Sequence, residues 1–345
     1  MNSYVIINKP AVFIYGRTCE TWRDEDGGIF STVVDEALYG NVYRVLKEEQ
    51  DYLYVISSYG YAGYIKKDAV LPVQEPEMRE WLENAVVTDG ICTDILSGPT
   101  VHAGYLMTLP RGSLLYALDS PEEHYTRVRL ADGSQGFIST NRLMEKRFGE
   151  ELLGEYPDTL IALQADAAAK CKHETGGKAG YDLQDTIDRW YADETAFRKE
   201  LVHTAEKYLG VQYRWGGRSS FGIDCSGLIH MSYLLCGVCI FRDAAIVKDY
   251  PLERLDLSWT DSGFDLSNLD NGTLRPGDTL YFPKHVAMYI GDGLYIHSTG
   301  RAGVMQVTVN SLLPDHSLFR KEHLESIYAA AGLRLKRERS SFAMQ

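Results

Sequence analysis

Phe221-Gly-Ile-Asp224-Cys225-Ser226-Gly227-Leu-Ile-His-Met-Ser-Tyr-Leu-Leu235 decides how this 345-residue chain is read. The stretch opens as a glycine-broken loop and continues as an apolar helix, with a thiol between an acid and a hydroxyl at the join. A free thiol titrates near about 8.5 and is mostly protonated at neutral pH. At a helix N-terminus the positive end of the dipole lowers that pKa. A nearby imidazole can take the proton and form an ion pair, and first-turn N–H groups can receive an oxyanion. The placement suits a nucleophile. Taken alone, though, a cysteine at a helix start is most often a core residue, Asp224 an N-cap and Ser226 an ordinary first-turn residue.

Two histidines supply the context. His285-Val-Ala-Met-Tyr-Ile-Gly reads as an alternating strand, Gly291-Asp292-Gly293 as its turn, and Leu294 to Ser298 as the return strand. A three-residue loop centred on Asp292 would set His297 opposite Ala287 and turn His285 to the same face. A two-residue loop would separate them. On the first register His285 is the base and His297 orients its ring. Zinc is the competing use of these residues, but no fourth ligand presents itself, and no metal or cofactor is expected. Cys236-Gly-Val-Cys239 lies in an apolar run and reads as buried structural cysteine.

Composition narrows the setting. A net charge of −13 offers no basic field to nucleic acid or an anionic membrane. Asn8, Lys9 and Pro10 interrupt the first apolar run and no later stretch has eighteen unbroken apolar residues, so neither a secretory signal nor a membrane span is expected. Six scattered cysteines suggest a reducing, cytoplasmic setting.

The first half contains a repeat. Tyr52 to Ile65 aligns with Tyr125 to Ile138, so that Val55 meets Val128, Gly60 meets Gly133 and Gly63 meets Gly136. Each copy reads as a β-hairpin within a small β-barrel of about seventy residues. Pro72 to Pro76 reads as the linker between the barrels. An alanine-rich helical stretch, Ala162 to Lys170, and a polar loop, His173 to Gly180, follow. Helical periodicity then runs from Leu183 to Tyr208. The expected domains are 1–73, 77–146, a helical linker over 147–196, and an α+β domain over 197–345.

The duplicated hairpins resemble bacterial SH3-like domains. Tyr213-x-Trp-Gly-Gly, Asp224-Cys225-Ser226-Gly227, Arg275-Pro-Gly-Asp278, His285-Val-Ala-Met-Tyr-Ile-Gly and Tyr295-Ile-His297 closely resemble the NlpC-type papain-like cysteine peptidases. The resemblance implies an α+β multidomain protein: two SH3-like barrels, then a papain-like peptidase domain. It makes Cys225 the nucleophile, His285 the base, His297 the orienting member and Tyr213 a border of the site whose hydroxyl assists the oxyanion. Arg275 to Asp278 is then the turn feeding the histidine strand.

The combination also resembles cytoplasmic γ-D-glutamyl-L-diamino acid endopeptidases, which process recycled murein tri- and tetrapeptides with a free N-terminal L-alanine. That subgroup implies Asp224 and Ser226 as grips on the substrate's amino terminus, and a tyrosine of the first SH3-like domain, here Tyr61, closing the pocket. Tyr61 differs from its repeat counterpart Ser134, although a surface aromatic is the plainer reading. Arg242-Asp243 reads as a surface ion pair that could also meet a substrate carboxylate. An exported wall hydrolase with wall-binding SH3-like domains and an inactive binding protein remain the alternatives.

Overall fold

Val55 pairs with Gly63 and Val128 with Gly136, so the aligned repeat is a structural repeat. Both glycines are forced by close approach. A Cβ on Gly63 would stand 2.4 Å from Ile14, and one on Gly136 would stand 2.4 Å from Ile95. The computed structural model describes residues 4–148, 183–247, 250–261 and 263–335. The alanine-rich stretch and the polar loop expected over 162–180 lie outside them.

The first copy comprises β1 (Tyr4–Ile7), β2 (Ala11–Tyr15), β3 (Thr21–Arg23), β4 (Ile29–Ser31), β5 (Val33–Leu38), β6 (Val42–Glu49), β7 (Tyr52–Ser57), β8 (Ala62–Lys66) and β9 (Val70–Val73). The second comprises β10 (Ala85–Thr88), β11 (Cys92–Leu96), β12 (Tyr105–Pro110), β13 (Leu114–Glu122), β14 (Tyr125–Arg129), β15 (Gln135–Ser139) and β16 (Leu143–Glu145). Their sheet orders, β5-β2-β8-β7-β6-β1-β9 and β12-β11-β15-β14-β13-β10-β16, match strand for strand. The pair β3–β4 is an insertion that the second copy lacks.

Pro72 and Pro76 do not make a linker. Pro72 sits in edge strand β9, and Pro76 in the first turn of α1 (Glu75–Glu83), where the missing N–H costs nothing. A capping box between Gln74 and Glu77 starts that helix. The two copies share buried contacts. Tyr39 follows β5 yet packs in the second copy's core with Ile95, Leu115 and Val128, and its hydroxyl accepts the Ala131 N–H at 2.8 Å.

The chain divides into two compact units, and Arg214–Gly222 belongs with the N-terminal one. This segment covers the edge of β5. Glu36 Oε2 accepts the backbone N–H groups of Arg218 at 2.9 Å and Ser219 at 2.8 Å. Arg218 Nε donates to the Glu36 carbonyl at 2.6 Å, and Trp215 Nε1 to the Val33 carbonyl at 3.1 Å. Glu36 and Arg218 are both buried. Burial raises the Glu36 pKa against the opposing pull of those donors.

The second unit carries α2 (Leu183–Trp190), α3 (Glu194–Glu206), α4 (Cys225–Leu235), β17 (Thr279–Phe282), β18 (His285–Gly291), β19 (Leu294–Thr299), β20 (Gln306–Ser311), a short helix α5 (Lys321–Ser326), and β21 (Ala329–Gly332). The helical periodicity from Leu183 to Tyr208 is carried by two helices, α2 and α3. Asp193 caps a second helix by accepting the Ala196 N–H at 2.7 Å. The sheet runs Glu253–Arg254, β21, β17, β18, β19, β20, all antiparallel. Leu280, Phe282, Ala287, Tyr289 and Tyr295 form its core face, and α4 packs on β18 and β19. Asp278, fully buried, accepts from Arg198, Arg334 and the Arg275 N–H, so Arg275 to Asp278 is a structural turn, but it feeds β17 and not the histidine strand β18 that follows.

Glu36→Ala should cost about 2 to 5 kcal/mol in urea unfolding, because it removes the buried carboxylate that receives the Arg218 and Ser219 backbone N–H groups and pairs with Arg214. Glu36→Gln should cost less. A loss below about 1 kcal/mol for the alanine variant, the range of an exposed pair, would contradict the contact's importance.

Candidate active site

Cys225 is the first residue of α4, and the helix behind it is buried along its whole length. Asp224 is the N-cap, its Oδ1 accepting the Gly227 N–H at 2.6 Å. That leaves the first-turn N–H groups of Cys225 and Ser226 without acceptors further along the helix. The backbone N–H groups of Val286, at the start of β18, and of Ser226 lie near enough to the sulfur to favour its thiolate.

The histidine hairpin has the expected parity, reached by another route. Asp292 and Gly293, with φ of 52° and 71°, form a two-residue turn closed by Gly291 and Leu294. By itself that turn would put the histidines on opposite faces. A bulge between Tyr289 and Gly291 adds one residue and reverses the parity. Met288 then faces Ile296, which sets His297 in line with Ala287. His285 Nε2 and His297 Nδ1 are 2.8 Å apart.

Asn310 on β20 completes the relay. His297 Nε2 lies 2.9 Å from Asn310 Oδ1, and Asn310 Nδ2 donates to the Leu318 carbonyl at 3.2 Å. A carbonyl only accepts, so the amide must turn its NH2 toward Leu318 and its oxygen toward His297. His297 therefore carries its proton on Nε2 and accepts at Nδ1. His285 donates from Nε2, and its Nδ1 is left unprotonated as the basic nitrogen. Three side chains thus fix one tautomer.

Burial dominates the charges. It pushes the Cys225 thiol up to about 12, with the Asp224 carboxylate adding to the rise. It pulls His285 down to about 3 and His297 down to about 4. Burial therefore opposes the expected thiolate–imidazolium pair, favouring the proton on sulfur and neutral rings. The dipole and the two N–H groups at the sulfur lose to desolvation.

Arg242 is not in a surface ion pair. It is buried, and its guanidinium clamps Asp224, with Nη1 3.1 Å from Oδ1 and Nη2 3.3 Å from Oδ2. Nη1 also donates to Ser226 Oγ at 2.9 Å, and Ser226 Oγ donates to Asp224 Oδ1 at 3.2 Å. Both neighbours of the nucleophile are thus tied to one cation. Tyr213 packs on Gly300, where a Cβ would stand 3.0 Å from its ring. Burial first, then Cys225 and Asp224, raise its hydroxyl pKa, so it remains a donor.

The structure brings Cys225, His285, His297, Asp224, Ser226 and Tyr213 together in the second unit. Tyr61 belongs to the first, in the turn between β7 and β8, and is buried rather than a surface aromatic. Its carbonyl accepts the Ser57 N–H just as that of Ser134 accepts the Leu130 N–H, so the repeat correspondence holds. Asn310 and the buried Arg242 escape sequence reasoning. A polar residue ending the Val307-Thr-Val-Asn310 alternation is the one trace of the former. Cys236 is buried and Cys239 only partly so, and among the described residues no three His, Cys, Asp or Glu side chains are arranged to hold a metal ion.

A family model described as the NlpC/P60 family matches residues 210–322. The dipeptidyl-peptidase 6 of Lysinibacillus sphaericus is 33% identical over 310 residues, 88% of this chain and 93% of that protein. The chain belongs to the NlpC/P60 family. It is a cysteine peptidase. The γ-D-glutamyl-L-lysine dipeptidyl-peptidase of Bacillus cereus is 36% identical over 107 residues, 29% of this chain and 28% of that protein. In fold, the chain resembles the crystal structure of an NlpC/P60 family protein from Bacillus cereus, with a TM-score of 0.61 at 19% identity over 96% of this chain and 99% of that one.

Two measurements test this peptidase site. Asn310→Ala should lower kcat about tenfold or more, because His297 loses the acceptor that sets its tautomer. Unchanged turnover would contradict the relay. The histidine pKa values also predict an acid-labile fold. Above the ordinary 6.5 both states are neutral and nothing changes. Below it the unfolded chain binds protons that the buried rings refuse, so stability falls as pH drops, by up to about 1.4 kcal/mol per pH unit for each ring. Urea midpoints between pH 7 and 5 should fall, less steeply in His297→Asn, and a flat profile would contradict the assignment.

Proposed function

We propose that this peptidase hydrolyses the γ-D-glutamyl–L-diamino acid bond of murein tri- and tetrapeptides with a free N-terminal L-alanine, releasing L-Ala-γ-D-Glu. The observation that carries this reading is the match to the dipeptidyl-peptidase 6 of Lysinibacillus sphaericus, which spans the β copies as well as the catalytic part. The shorter match to γ-D-glutamyl-L-lysine dipeptidyl-peptidases supports the same bond. The setting proposed is cytoplasmic peptide recycling, and cell fractionation tests it.

In the proposed reaction, Cys225 Sγ attacks the γ-carbonyl carbon as its proton passes to His285 Nδ1. The S–C bond forms, the carbonyl π pair moves to oxygen, and the N–H groups at the start of α4 and the Tyr213 hydroxyl receive the oxyanion. His285 returns the proton to the leaving amine as the C–N bond breaks. Water, deprotonated by the same nitrogen, then hydrolyses the thioester. His297 and Asn310 hold the His285 ring throughout. Asp224 and Ser226 hold the substrate's amino end within a cluster whose charge Arg242 balances. Tyr61 enters this reading through the family resemblance alone.

Cys225→Ala should abolish cleavage and keep the unfolding midpoint near that of the parent. With the active enzyme, L-Ala-γ-D-Glu-L-Lys should turn over at least about a hundredfold faster than its N-acetyl form, because an acyl cap removes the ammonium and its charge-assisted hydrogen bonds to Asp224 and Ser226. Equal rates would reject the amino-terminal requirement.

A further inference from the structure

A third imidazole stands against the histidine pair, and the reaction above leaves it unused. His323, on α5, lies with its ring centroid 5.4 Å from that of His297, edge-on at 84°, and 6.0 Å from that of His285. Phe282 and Tyr295 bracket it at 5.2 and 5.7 Å. Its Nδ1 shares a 2.6 Å hydrogen bond with the Tyr295 hydroxyl, and Tyr295 itself packs 5.4 Å from His297. Burial raises the Tyr295 pKa, so that oxygen keeps its proton. His323 is therefore anchored to the same strand that carries His297.

We propose that His323 is a positioning residue of the peptidase site, walling the His285–His297 pair against water so that both rings stay uncharged and keep their relay. The inference rests on His285 acting as the base. It concerns a side chain outside the Cys225, His285, His297 and Asn310 set. The charged groups around it fit the role. Glu322 favours its protonation, whereas burial, Arg320 and Arg301 oppose it, and the net direction is down. His323, and after it Arg320, also disfavour charge on His297, and His297 and His323 disfavour it on His285. A neutral ring in this place excludes water without adding a charge. A smaller side chain would admit water and restore ordinary imidazole behaviour to its neighbours.

The test is histidine Cε1–H NMR on the full chain from pH 8 to pH 4, with the His285 and His297 resonances assigned by substitution. In the parent neither resonance should titrate above about pH 5. His323→Ala should raise both midpoints by about one pH unit or more toward the ordinary value. His323→Gln keeps a hydrogen bond to Tyr295 without the ring and should move them the same way, so misfolding of the alanine variant would not void the test. His323→Phe keeps the wall and should leave both midpoints within about half a unit of the parent. Unmoved midpoints in the alanine and glutamine variants would overturn the proposal, as would a shift in His323→Phe as large as in His323→Ala. The titration needs no substrate, so its result stands apart from the bond assigned above.

Discussion

Desolvation at Cys225, His285 and the fully buried His297 is the constraint on which the catalytic unit depends. Burial raises the thiol to about 12, against the opposing pull of the N–H groups beside it. A helix N-terminus returns typically 0.3–1 kcal/mol, and about 2 in the best partly buried cases. Burial wins. The site consequently stores its reactivity in geometry rather than in a standing charge: a basic Nδ1 presented in one tautomer, with N–H donors gathered at the sulfur. Charge then develops only as the S–C bond forms, where those donors are already in place.

That economy explains the length of the relay. A neutral imidazole has one donor and one acceptor nitrogen, and a buried pair of them can pass ambiguity from ring to ring. Asn310 removes it, because the Leu318 carbonyl dictates which way the amide points. The same principle governs the nucleophile's neighbours. Arg242 pairs with Asp224 beside the thiol and at the same time fixes Ser226.

Much of this was legible in the sequence, and the remainder has physical reasons for being hidden. The duplication shows because Gly63 and Gly136 meet equivalent isoleucines, a steric demand that survives in the residue pattern. Cys225, His285 and His297 stand out as a set. The parity of the two histidines does not: a two-residue turn and a one-residue bulge sum to the same register as a three-residue loop. Arg242, Asn310 and Glu36 act through partners distant in sequence, and an acid or arginine in a chain carries no mark of being buried. The linker assigned to Pro72 to Pro76 failed because proline also suits an edge strand and a helix's first turn.

The pH dependence of Cys225 alkylation by iodoacetamide tests the central claim most directly, since it reports the thiolate itself in the substrate-free protein. With a desolvated, protonated sulfur, the rate should be slow at neutral pH and climb without an inflection below about pH 9. An inflection between about pH 4 and 7, with a plateau above it, would reveal a preformed thiolate–imidazolium pair and contradict the account.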